Sequence, residues 1–198
     1  MNWNGGERGG PLWAGLLVGG GSRRMGRPKA LLELAGDSLA ERALAAVIPR
    51  VDGVALLGSG KVPAALHDLP RLADVAGVDG PMAGVLAALR FRPAADWLVV
   101  ACDQGRVDPG AVDWLLARRG PGIAAVLPRL SARRVEPFLA LYTPAALPLL
   151  ERLAAAGTTS LQPLAAEPGV LTPWPPPRLR PAWRDADTPA ELGRLLGG

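Results

Sequence analysis

The 198-residue sequence holds one cysteine, Cys102, and one histidine, His67. A lone cysteine excludes an internal disulfide and any cysteine-based zinc centre. A lone histidine removes His-rich metal sites and makes a Ser-His-Asp triad depend on that single residue. Lysine is nearly as scarce, with Lys29 and Lys61 set against 20 arginines. The net charge of +4 and pI near 10.2 therefore come from arginines scattered along the chain. The six tryptophans do not interleave with them as a stacking platform, which argues against a nucleic-acid partner. No uncharged run reaches the roughly 18 residues of a membrane span. Among the longest, Pro137–Leu150 has 14. Leu12–Gly21 is apolar, but its flank carries only Glu7 and Arg8, and no small-x-small cleavage site precedes Arg23-Arg24. It reads as the first strand of a cytoplasmic protein with no membrane partner.

What is present suits a folded core: 49% hydrophobic residues, 20% charged residues and a mean hydropathy of +0.18. The 25 glycines and 21 prolines follow no triplet period and punctuate short connections between buried segments. No repeat or linker divides the chain. A single domain over residues 1–198 is expected, with a flexible N-terminus at 1–11 and a proline-rich surface segment at 170–184.

Strand and helix signals alternate. Leu12–Val18, Val51–Gly58, Leu72–Val75, Asp96–Cys102, Ile123–Pro128 and Pro137–Tyr142 read as strands. Ser38 is placed to cap a helix over Leu39–Val47, with Glu41 at the capping-box position. Asp108 and Pro109 open another over Asp108–Arg118. Further helical signals cover Pro63–Leu69, Pro81–Leu89, Pro144–Ala156, Thr159–Ala166 and Asp187–Leu196. This order predicts an α/β fold, a mostly parallel sheet with helices on both faces. Ligands collect at the carboxyl ends of such strands, so the loops after Val18, after Gly58, around Gly80 and at Asp103 should share one rim.

Leu17–Lys29, L-V-G-G-G-S-R-R-M-G-R-P-K, is the most informative stretch. Gly19, Gly20 and Gly21 let backbone N–H groups converge on phosphate oxygens, and Arg23, Arg24 and Lys29 add full charges. The spacing matches neither common glycine-rich phosphate motif, and a flexible loop with solvated arginines is the alternative. Asp103 ends an apolar strand, where a carboxylate suits Mg²⁺ or caps the following turn. Asp185 and Asp187 form a second carboxylate pair, for which helix capping is the alternative. Asp74 and Asp79 flank the turn G-P-M-A-G at 80–84, which would let a flat base approach the backbone. Cys102 reads as a small buried hydrophobe, His67 as a surface residue, and Trp174 and Trp183 as packing residues of the proline-rich segment.

The stretch Leu17–Lys29 closely resembles the first signature of the nucleotidyltransferases that attach a nucleotide to molybdopterin. G-P-M-A-G at 80–84, A-C-D at 101–103, E-P-F-L-A-L-Y at 136–142 and D-A-D-T-P-A-E-L at 185–192 continue the resemblance in order. It covers Leu12 to Leu196 and points to the molybdenum cofactor guanylyltransferase family. The resemblance implies a Rossmann-like three-layer fold and Mg²⁺-dependent transfer of GMP from GTP to the terminal phosphate of molybdopterin, or of its molybdenum form, with release of pyrophosphate. It implies nucleotide binding by Leu17, Val18, Gly19, Gly20, Gly21, Ser22, Lys29, Asp74, Gly80, Pro81, Gly84 and Asp103. Arg24, Lys29 and Asp103 would be catalytic, and Asp103 with Asp187, or else Asp185, would hold the metal. Enzymes or chaperones that receive the cofactor are implied as further partners. Three departures stand out. Gln104-Gly105-Arg106 follows Asp103 on the rim expected for the pterin. Aspartates at 185 and 187 are reminiscent of CTP-using relatives. Gly58-Ser59-Gly60 replaces a polar residue after the second strand. A CTP-dependent transferase and a non-catalytic nucleotide-binding or cofactor-chaperone protein are the rival readings.

Overall fold

The structure is a computed structural model and describes residues 10–19, 28–34 and 36–184. Nine strands alternate with four α-helices among these residues. They are β1 (Leu12–Leu17), β2 (Glu33–Leu34), β3 (Asp37–Ser38), α1 (Leu39–Ala45), β4 (Gly53–Leu57), β5 (Arg71–Leu72), α2 (Pro81–Phe91), β6 (Asp96–Ala101), α3 (Pro109–Leu116), β7 (Ala125–Val126), β8 (Ala140–Tyr142), α4 (Ala146–Ala155) and β9 (Val170–Leu171). The main sheet has the order β5-β4-β1-β6-β8-β7-β9. Strand β8 runs antiparallel to both β6 and β7, and the remaining pairs are parallel. The strands β2 and β3 form a separate two-stranded ribbon.

Side-chain alternation along the strands makes two cores. Leu12, Ala14 and Leu16 of β1 point with Leu98 and Val100 of β6 to the face covered by α1 and α3. Trp97, Val99, Leu57 and Tyr142 point to the opposite face, covered by α2 and α4. The expected three layers follow from this period of two. Because β1 and β6 are covered on both faces, they read as unbroken apolar runs.

The helix starts obey their local chemistry. The Ser38 hydroxyl accepts the Glu41 N–H at 3.1 Å, while the Glu41 carboxylate accepts the Ser38 N–H at 2.9 Å and its hydroxyl at 2.6 Å. These bonds hold the Glu41 carboxyl below its ordinary range. Asp108 accepts the Ala111 N–H at 3.0 Å at the start of α3. Two short segments expected as helices, around 63–69 and 159–166, contain 3₁₀ turns at Ala64–Leu66 and Gln162–Ala166. Prolines at their starts and short lengths favour the tighter turn.

The segment 170–184 is surface-exposed only in part: Trp183 packs as expected, whereas Trp174, also expected to pack, is 51% exposed. Leu171 and Trp174 are exposed, but β9 joins the sheet and a 3₁₀ turn over Pro177–Trp183 buries Leu179, Ala182 and Trp183. The Trp183 indole N–H donates to the Leu139 carbonyl at 2.9 Å, and its ring meets Trp114 edge-on at 5.7 Å. Leu139, which accepts that bond, has φ 48°, a conformation uncommon for leucine. The expected helix over 187–196 and the N-terminal residues 1–9 lie outside the described residues.

Candidate nucleotide site

The carboxyl ends of β4, β1 and β6 meet at one rim. Beyond β1, the Val18 N–H donates to Leu57 O at 2.9 Å, so the chain stays beside β4 for one residue more. It then opens at Gly19, whose exposed backbone has nothing within 4 Å of where a Cβ would stand. Next to it, the turn Gly58-Ser59-Gly60 leaves β4. Gly58 has φ +94°, which glycine adopts without the cost a side chain brings. Gly60 lies against the neighbouring strand end, since a Cβ there would sit 1.5 Å from the Val18 carbonyl oxygen. From β5, one terminal guanidinium nitrogen of Arg71 donates to the carbonyls of both Gly58 and Gly60 at 2.9 Å. The carboxylate of Asp74 lies 3.6 Å from the Cβ position of Gly58.

The charged centre of the rim is the pair Lys29–Asp103. Lys29 begins a 3₁₀ turn over Lys29–Leu31, and its Nζ donates to Asp103 Oδ2 at 2.7 Å across 74 residues of sequence. The two side chains are 21% and 17% exposed, partly withdrawn from water yet open to a ligand. Val18, Gly19, Lys29, Gly60, Lys61 and Cys102 help line an adjoining cleft of about 220 Å³. Burial, and then the Asp103 charge, push the Cys102 thiol up to about 12, while Lys29 opposes them. Cys102 is buried, as expected of a small hydrophobe in an apolar strand.

Leu17, Val18, Gly19, Lys29, Asp74 and Asp103 thus gather at one rim. Gly80 and Pro81 are exposed at the start of α2. Gly84 is buried, and a Cβ there would meet Leu17 Cδ2 at 2.8 Å and Leu57 Cβ at 3.3 Å. This glycine lets α2 lie close on the strand ends. Gly20, Gly21, Ser22, Arg23, Arg24, Asp185 and Asp187 lie outside the described residues. Gln104, expected to alter the rim, turns inward instead. It is 1% exposed, and its Oε1 accepts the Ala101 N–H at 3.1 Å, closing the turn after β6.

Sequence reasoning passed over Arg71 and Lys61. Their signal was positional, since Arg71 opens a short strand beside a glycine turn and Lys61 follows that turn directly. Among the described residues no group of three or more His, Cys, Asp or Glu could hold a metal ion. Asp103 fits a divalent cation as a single carboxylate ligand, because Mg²⁺ commonly takes one or two protein carboxylates with water and phosphate oxygens. No helix among the described residues is long and apolar enough to cross a membrane.

Comparison with known proteins finds relatives in sequence and in fold. The chain is 34% identical over 150 residues to the molybdenum cofactor guanylyltransferase of Pseudomonas putida, covering 74% of this chain and 78% of that protein. It is 32% identical over 145 residues to the molybdenum cofactor biosynthesis bifunctional protein of Synechocystis sp., covering 72% of this chain. The match spans only 42% of that relative, and 62% of a probable molybdenum cofactor guanylyltransferase from Pelotomaculum thermopropionicum. In structure it resembles the molybdopterin-guanine dinucleotide biosynthesis protein A of Archaeoglobus fulgidus, with TM-score 0.73 at 24% identity over 93% of this chain and 97% of that one. That likeness establishes the nucleotidyltransferase fold. Residues 14–168 match the MobA-like NTP transferase domain, and the chain belongs to that family.

Proposed function

We propose that the protein transfers GMP from GTP to the terminal phosphate of molybdopterin, or of its molybdenum form, in the cytoplasm. The observation that carries this reading is the Lys29–Asp103 pair beside an open backbone cleft at the β1 and β6 ends. The names of the relatives support the nucleotide and the acceptor.

In the proposed reaction an oxygen of the acceptor phosphate attacks the α-phosphorus of GTP. The bond from that phosphorus to the bridging oxygen breaks, and pyrophosphate leaves with the electron pair. Direct displacement needs no protein nucleophile, and the protonated Cys102 thiol is not suited to be one. The chain supplies electrostatics and positioning. Lys29 neutralises phosphate charge as it grows toward the leaving group. The backbone at Val18 and Gly19 lies against the nucleotide, while Asp74 and the exposed Gly80-Pro81 turn border the nucleoside. Asp103, with Asp187 or Asp185 as a second candidate, would hold Mg²⁺. That ion would supply charge neutralisation at the phosphates.

The test is product identity. Protein incubated with GTP, Mg²⁺ and molybdopterin should yield an adduct heavier by one GMP residue in mass spectrometry. Unchanged molybdopterin after complete mixing with active nucleotide would refute the assignment.

A further inference from the structure

We infer that Lys61 is a second phosphate-contacting cation of the cleft, held in place by a turn that Arg71 braces. The inference rests on the nucleotide-transfer reading and adds a residue to it. The chain uses arginine for nearly every positive charge, yet both of its lysines line the same cleft. They stand past different strand ends, Lys29 beside Asp103 after β6 and Lys61 beyond Gly60 after β4. Four arginines elsewhere are paired with carboxylates, Arg50 with Asp113, Arg90 with Glu151, Arg119 with Asp96 and Arg152 with Glu167. Lys61 is exposed and makes no hydrogen bond or ion pair among the described residues.

The backbone that delivers it is built for accuracy. Gly60 packs directly on the Val18 carbonyl, and Arg71 ties down the carbonyls on both sides of Ser59. An exposed lysine with no role would not need its preceding turn fixed against the adjacent strand. A compact ammonium on a flexible stem can follow phosphate oxygens as their charge shifts, which a forked guanidinium does less readily. Two anions must meet for phosphoryl chemistry in this cleft, the donor triphosphate and the acceptor phosphate. A lysine past each of two strand ends, β6 and β4, answers that requirement.

Lys61→Met keeps the aliphatic stem and removes the charge, and its melting temperature should match that of the parent because Lys61 is exposed and makes no hydrogen bond or ion pair among the described residues. Titration with tripolyphosphate and with Mg²⁺-GTP should show affinity about 10-fold weaker for the variant, the loss shrinking at high salt. A normal donor affinity with a KM for molybdopterin raised by a similar factor would place Lys61 on the acceptor phosphate and also support the assignment. Lys61→Arg should recover part of the lost affinity. Parent-like affinity and KM for all three probes in Lys61→Met, with binding lost in Lys29→Ala, would overturn Lys61 alone. A parent protein that binds neither tripolyphosphate nor GTP would overturn this assignment and the nucleotide-transfer reading together.

Discussion

Lys29 Nζ lies 2.7 Å from Asp103 Oδ2, joining the turn that follows the glycine loop to the end of β6. Without ligand, each side chain answers the charge of the other. In the proposed reaction nucleotide and metal would offer each a stronger partner, which would make the pair a preassembled, exchangeable contact. Lys29→Ala should weaken triphosphate binding about 10- to 100-fold, the range of a charge-assisted hydrogen bond. GMP should lose much less. Calorimetric titration with both ligands checks this, and equal losses would remove Lys29 from the β and γ phosphates.

Gly60→Ala should be among the most damaging single changes on the rim. Its Cβ would fall 1.5 Å from a backbone oxygen, so β4 and β1 must separate at their ends. A loss of about 3 kcal/mol or more is expected, together with loss of nucleotide binding. Denaturant unfolding measures the first and titration the second.

Trp183 ties the C-terminal part of the described chain to Leu139. Trp183→Phe keeps a ring against Trp114 but removes the donor to the Leu139 carbonyl, at a cost of about 1–3 kcal/mol. Trp183→Ala also opens a cavity and should cost about 3–5 kcal/mol. Urea midpoints of the two variants should keep that order.

Asp96 and Arg119 form a pair with side chains 9% and 5% exposed, and Arg119 also donates to the Gly10 carbonyl at 2.8 Å. Burial raises the Asp96 carboxyl, against the opposing effect of Arg119. A carboxyl raised in the folded state favours folding most below its unfolded pKa of 3.8, and that contribution disappears as pH climbs through the folded pKa. Arg119→Met removes the opposing charge and leaves an ionised Asp96 buried at neutral pH, costing about 3–5 kcal/mol. The deficit should shrink as pH falls and Asp96 takes up a proton. Melting temperatures across pH 4–8 test the sign, and a deficit that grows in acid would contradict it.

The parts of this fold legible in the sequence are those governed by near neighbours. The Ser38–Glu41 capping box, the Asp108-Pro109 helix start and the apolar runs of β1 and β6 each state their structure within a few residues. Lys29 and Asp103 were each named through the resemblance, but their direct pairing across 74 residues was not. What remained hidden depends on contacts between distant segments. Nothing near Gly60 shows that Val18 will press against it, and nothing near Trp183 points to Leu139. Gln104 looked like a rim residue because its own strand ends there, but the free N–H of Ala101 draws it inward. The antiparallel course of β8 is likewise set by pairing with β6 and β7, and its three residues carry too short a pattern to announce a direction.

The most direct test of the account is pyrophosphate release with molybdopterin and Mg²⁺, run in parallel with GTP, CTP and ATP. Turnover is expected with GTP, little with CTP or ATP, and none when Asp103 is replaced by alanine in a protein that still folds. Preference for CTP would contradict the guanylyl assignment, and absence of turnover with every nucleotide despite tight binding would contradict catalysis on this acceptor.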